Sequence, residues 1–171
     1  MKKLLIFGLV SALSASVFMG GGNASAQTSA EQMTEDYTIN WDSVWDNLDT
    51  YKEEVNFGNA SDPSSVSASG LGSLATGSTG LSSTSTAVTS TGKTKGRVLS
   101  TYTSATTSVR DIVHAVTSNG GKRMAVGTFT ATSKASIGNF SGKTPFSGVT
   151  VHTATSKGKI YSSNTGNTKA F

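Results

Sequence analysis

A run of period-two segments between Lys122 and Asn164 constrains this chain more than any other feature. Met124–Ala131 sets Met124, Val126, Thr128 and Thr130 against Ala125, Gly127, Phe129 and Ala131. Val149–Thr155 sets Val149, Val151 and Thr153 against Thr150, His152 and Ala154. Alternation with β-branched residues is a strand signal, and no helical stripe fits either segment. Gly158 supplies a tight turn into a last strand, Ile160–Asn164. Asn119-Gly120-Gly121 reads as a hairpin turn, because Asn-Gly tolerates positive φ. It separates these segments from an earlier apolar run, Ile112–Val116. Four strands in hairpin order predict an antiparallel meander.

A sheet of this kind has to bury one face. The nearest candidate cover is N-terminal, where Met33, Tyr37, Trp41, Val44, Trp45, Leu48, Tyr51 and Val55 recur at three- and four-residue spacing. That is an amphipathic helical stripe. Ser29-Ala30-Glu31-Gln32 matches a capping box at its start, and Asn40 is a second N-cap that divides the stripe into two helices. Val55-Asn56-Phe57 then reads as a short strand. Trp41 and Trp45 fit a ligand wall, although aromatics at helical spacing more often form core. The expected fold class is therefore α+β: an antiparallel sheet against an N-terminal amphipathic helix.

Upstream, Lys2 and Lys3, the apolar Leu4–Met19 and the small-residue exit Ala24-Ser25-Ala26 have the form of a secretory signal over residues 1–26. Residues 27–171 are then a single exported domain, periplasmic or extracellular, with no later apolar segment to hold a membrane. The chain has no Cys, which excludes disulfides and thiolate metal sites. About a third of its residues are Ser or Thr. They concentrate in Ser64–Thr94, which carries few bulky side chains and reads as a linker or loop insert, with a weak helix at Leu71–Leu81 as the alternative. Arg97–Ser108 reads as a helix with Val98, Tyr102 and Ala105 on one side.

Charge is segregated. Residues 27–62 hold nine acids against Lys52 alone, and residues 63–171 hold eleven bases against Asp111 alone. An acidic helical face and a basic sheet rim account for this. Dispersed bases without interleaved aromatics argue against nucleic acid as a partner. Gly92-Lys93-Thr94 and Gly142-Lys143-Thr144 lack the upstream Gly of a phosphate loop, with Ala87 and Ile137 in its place.

Three pieces of the C-terminal half resemble the SnoaL-like (polyketide cyclase-like) branch of the nuclear transport factor 2-like superfamily. They are Gly127-Thr128-Phe129-Thr130-Ala131-Thr132, then Gly142-Lys143-Thr144 with Phe146–His152, and Gly158-Lys159-Ile160. Trp41-Asp42-Ser43-Val44 and Val55-Asn56-Phe57 are similar to the family's helix pair and first strand. The resemblance implies a cone-shaped α+β barrel, a curved antiparallel sheet wrapped around the helix with a small-molecule pocket at the open end. It also implies acid–base chemistry from pocket Asp, His or Tyr side chains. Ser133 and Lys134 stand where the family carries a His, and Lys157 where it carries an acid.

The candidate catalytic residues are His152, His114 and Asp111. His152 shares a strand face with Thr150 and Ala154 and suits a neutral-pH acid or base if that face lines the cone. His114, between Ile112 and Val116, fits a hydrogen-bonded core position as well as a site. Asp111 is the one carboxylate after residue 62, suited either to partner a His or to pair with Arg110 or Lys122. Trp41, Trp45, Tyr102 and Phe129 are the candidate ligand-binding side chains. Two His without an acid cluster imply no metal, and nothing implies a cofactor. Three functions fit: a small-molecule-binding SnoaL-like domain, homodimeric in some arrangements; a paralogue that has lost its catalytic groups; and a secreted structural or surface-interaction protein acting through its Ser/Thr-rich surface.

Overall fold

The computed structural model describes residues 38–59, 73–99, 101–139 and 143–171. The secretory segment, the Ser29–Gln32 capping box, Met33 and Tyr37 lie outside them. Within them the chain forms one short helix, α1 (Trp41–Asp46), a 3-10 turn at Leu48–Thr50, and nine strands. The strands are β1 (Glu54–Asn59), β2 (Ser73–Ser83), β3 (Ala87–Gly96), β4 (Tyr102–Asp111), β5 (Val116–Asn119), β6 (Arg123–Val126), β7 (Thr130–Gly138), β8 (Pro145–Ser156) and β9 (Lys159–Ala170).

All strand pairing is antiparallel. Sheet A has the order β1-β2-β3-β7, and sheet B the order β5-β4-β8-β9, with β6 also pairing β4. The sheets stack face to face as an open sandwich. Cross-sheet hydrogen bonds run from Thr94 Oγ1 to the Ser104 carbonyl (2.8 Å) and from Thr79 Oγ1 to Thr150 Oγ1 (2.7 Å).

The cone expected from the sequence is not the fold, and the composition explains why. The inner faces carry Gly77, Thr79, Ser90, Gly92, Thr94, Thr150 and His152, side chains too short to hold two sheets apart around a helix. A Cβ added to Gly77 would lie 2.6 Å from the His152 ring, and one added to Gly92 2.3 Å from Thr150. No space remains between the sheets for a helix about 10 Å across. A six-residue helix, about 9 Å long, could not serve as the axis of a wrapped sheet in any case.

The N-terminal stripe still covers a sheet, but from outside. Asn40 is the N-cap of α1, its Oδ1 accepting from the Ser43 N–H at 3.2 Å. Val44 and Trp45 then bury against Val149 and Val151 on the outer face of β8, with Ile39, Trp41, Leu48 and Tyr51 packed around them. Val55 belongs to β1 instead. Every residue of β8 from Phe146 to Thr155 is therefore buried, one side by sheet A and much of the other by α1.

The Ser/Thr-rich insert is the second correction. Its described part supplies β2 and β3, the central strands of sheet A, rather than a linker or a helix. Hydroxyl groups that look unable to form a core are satisfied across the sandwich and act as the core. Arg97–Ser108 is likewise strand β4 from Tyr102 onward, as its β-branched residues favour, and not a helix.

The hairpin at Asn119-Gly120-Gly121 is replaced by a break within one edge. β5 and β6 both lie along β4, with Gly120 N–H donating to the Thr107 carbonyl at 2.8 Å between them. Ser133 of β7 fills the gap, its Oγ accepting from the Thr107 N–H and donating to the Gly121 carbonyl. A side chain at position 120 would strike the Lys134 carbonyl, which makes glycine necessary there. The expected Met124–Ala131 strand breaks at Gly127 (φ 65°), where the chain leaves sheet B for sheet A. The turn at Lys157-Gly158, both at positive φ, joins β8 to β9 as expected.

Candidate functional site

His152 sits on the inner face of β8, wholly buried. Its Nδ1 lies 2.7 Å from Thr94 Oγ1 and its Nε2 2.7 Å from Thr165 Oγ1. Thr94 already donates to the Ser104 carbonyl, so it accepts from the ring. That places a ring proton at Nδ1 and sets Nε2 against the Thr165 hydroxyl. Thr79 touches both Thr165 and Thr150, and Thr150 reaches Thr107, whose hydroxyl donates to the Val149 carbonyl. The hydroxyl chain carries no charge. Burial pushes the His152 pKa down to about 3, so the ring is neutral through the physiological range. A ring sealed among threonines, with Phe57 6.2 Å away, is closed to solvent and can fix the two sheets in register.

Asp111 and His114 meet at the opposite end of β4. Asp111 is buried at the strand terminus and caps the turn that follows, its Oδ1 accepting from the Val113 and His114 N–H groups at 3.0 and 3.1 Å. Its Oδ2 lies 2.6 Å from His114 Nδ1. Burial alone raises the Asp111 pKa. The hydrogen bonds from the His114 ring and backbone, its charge when protonated, and the Val113 N–H outweigh that, and the carboxyl sits below its ordinary value. The expected core position of His114 is incorrect, since its side chain is exposed on the turn, and Asp111 pairs with it rather than with Arg110 or Lys122.

The seven candidate residues do not converge. Ala105 is the cross-strand partner of His152, and Asp111 lies six residues further along β4, about 20 Å away. Trp41 and Trp45 pack on the outer face of sheet B, and the Arg110 guanidinium stacks 4.9 Å above the Trp45 ring. Tyr102 is half-buried at the start of β4, and Phe129 projects into solvent. Among the described residues no group of three His, Asp or Glu could hold a metal ion.

Two open features are new. A cleft of about 650 Å³ runs between β1 and β9, edged by Tyr51, Lys52, Glu54, Asn56, Ser162 and Asn164. Asn164 donates to the Tyr51 hydroxyl across its floor at 3.0 Å. The larger feature is the outer face of sheet A. Cross-strand register places Glu54, Ser78, Lys93 and Thr132 in one row, Asn56, Thr76, Lys95 and Thr130 in the next, and Gly80, Thr91 and Lys134 in a third. No bulky apolar side chain stands on these rows, and no described element covers them. A shallow groove of about 660 Å³ crosses the face past Ser78, Thr91, Lys93, Thr132 and Lys134, with Glu53 and Glu54 at its β1 end.

The alternation in Ala87–Gly96 holds the signal that would have located this face. Val88, Ser90, Gly92 and Thr94 point inward and Thr89, Thr91, Lys93 and Lys95 outward, a strand pattern once Gly and Ser count as inward residues. No protein-family model, no curated protein and no solved structure matches this chain.

Proposed function

We propose that the protein is an exported surface-interaction module that docks on an acidic, hydroxyl-rich polymer, such as a uronate-bearing glycan, through the outer face of sheet A. The observation that carries this reading is the uncovered array of Ser, Thr and Lys on β2, β3 and β7, with Glu54 and Asn56 of β1 confined to its edge. Lys95 and Lys93 stand about 7 Å apart along β3, and Lys134 continues the line one strand over and one row on. Three exposed ammonium groups in a row match a linear chain of carboxylates, with threonine hydroxyls between them to bond sugar oxygens. The absence of aromatic rings from these rows favours a charged glycan over single-stranded nucleic acid, which binds by base stacking.

A charge-led contact of this kind is weakened by salt. The protein is expected to be retained on immobilised polygalacturonate at low ionic strength and released by added salt. The triple substitution Lys93→Gln, Lys95→Gln and Lys134→Gln should reduce retention by about tenfold or more while leaving the thermal melt in place. Retention of the triple variant equal to that of the parent, or no retention of the parent at low salt, would rule the reading out.

A cone pocket has no place between these sheets, because among the described residues no sheet wraps a helix.

A further inference from the structure

A second surface stands apart from sheet A, at the end of the sandwich where β4 begins. Leu99 and Phe129 are 80% and 76% exposed, the two most solvent-exposed large apolar side chains among the described residues. Backbone bonds tie their loops together: Gly127 N–H donates to the Thr101 carbonyl at 2.7 Å, and Gly96 N–H to that of Phe129 at 3.4 Å. A Cβ at Gly127 would lie 3.2 Å from the Leu99 carbonyl oxygen, so the two loops are in contact. Beside them Val126, Tyr102, Thr155 and Ile160 form one cross-strand row on the outer face of sheet B. Val126 and Ile160 are exposed there, because α1 covers only the part of that face around Val149 and Val151.

Charge at this end has one sign. Arg97 precedes Val98 and Leu99, Arg123 opens β6, and Lys157 and Lys159 flank the β8–β9 turn, all of them exposed. The loop 97–101, β6, the loop 127–129, β7 and the β8–β9 hairpin contain no Asp or Glu. The acids of the described chain lie on α1, the 3-10 turn, the start of β1 and the far end of β4.

We infer that this end of the sandwich seats on an anionic lipid bilayer, with Leu99 and Phe129 entering the headgroup–acyl boundary and the surrounding Arg and Lys side chains meeting lipid phosphates. Apolar tips ringed by cations are what an interfacial contact requires: burial of the tips supplies area, and the cations supply selectivity for negative lipid. Such docking needs no spanning segment, and no helix among the described residues is long and apolar enough to cross a membrane. The contact is peripheral and reversible, since two side chains bury little area. It also leaves the outer face of sheet A free, on a different side of the molecule.

Co-sedimentation with vesicles tests this. The protein should pellet with phosphatidylcholine vesicles containing phosphatidylglycerol and stay in solution with phosphatidylcholine alone. The double substitution Leu99→Ser, Phe129→Ser should lower partitioning by about tenfold or more, and Lys157→Gln, Lys159→Gln by a similar factor. Lys93→Gln, Lys95→Gln, Lys134→Gln should pellet almost as the parent does, separating this contact from the glycan face. Three results would overturn the proposal: no pelleting with phosphatidylglycerol, pelleting unaffected by Leu99→Ser, Phe129→Ser, or a concentration-dependent dimer abolished by that double substitution, which would make the patch an interface between two copies.

Discussion

Acidification from pH 7 to pH 4 should remove about 3 kcal/mol of folding stability, most of it through one side chain. The unfolded chain binds a proton at His152 with an ordinary pKa near 6.5. The folded state resists that proton until about pH 3, because burial excludes the charge and no carboxylate faces the ring. The unfolded state thus binds more protons throughout this window, and stability rises with pH. It is fully present above about pH 6.5 and falls by about 1.4 kcal/mol per pH unit below it. Asp111 adds a later loss. Its folded pKa is lowered, so its contribution holds above the unfolded value near 3.9 and disappears as pH drops through the folded one. Urea unfolding midpoints at several pH values would measure the slope. A midpoint that stays level between pH 7 and pH 4.5 would mean that His152 is not sealed.

Replacing Gly77 by alanine should destabilise the protein by about 3 kcal/mol, the upper end of the usual loss from overpacking a core. The added methyl would sit 2.6 Å from the His152 ring, which is itself held at both nitrogens by Thr94 and Thr165. The ring cannot rotate away without breaking those bonds, so the sheets must move apart. Gly92→Ala should behave similarly, since its Cβ would meet Thr150, another member of the hydroxyl chain. Gly80→Ala provides the control: it lies on the same strand as Gly77, but its Cβ would meet nothing within 4 Å. That substitution should change stability by less than about 0.5 kcal/mol. Thermal melts of the three variants would decide it. A Gly77→Ala variant melting with Gly80→Ala would contradict a close approach of the sheets at His152.

What the sequence made legible was local, and what it hid was the core. Val149–Thr155, the Lys157-Gly158 turn and the Asn40 cap are where the alternation and turn chemistry place them. Each depends on neighbours in the chain. The inner layer depends on partners 10 to 86 residues away, such as Thr94 with Ser104 and Thr79 with Thr165. No local pattern reports such a partner, so the hydroxyls read as a solvated insert. His152 illustrates the same limit at the level of the site. Its place among Thr150 and Ala154 was readable, but a solvated pocket and a sealed core give that face the same sequence. Alternation places Phe129 on a strand face, and the positive φ at Gly127 turns it out to solvent. The lysine rows of sheet A are a product of the register of β2, β3 and β7, which no local pattern encodes.

Amide hydrogen exchange across residues 73–96, followed by NMR at neutral pH, tests the central claim most directly: that the Ser/Thr-rich segment is the middle of a β-sandwich. β3 is paired on both edges, and its amides from Val88 to Gly96 should exchange only through global unfolding, as slowly as those of β8. Exchange of these amides at the rate of an open chain, with β8 still protected, would restore the loop and contradict the fold described.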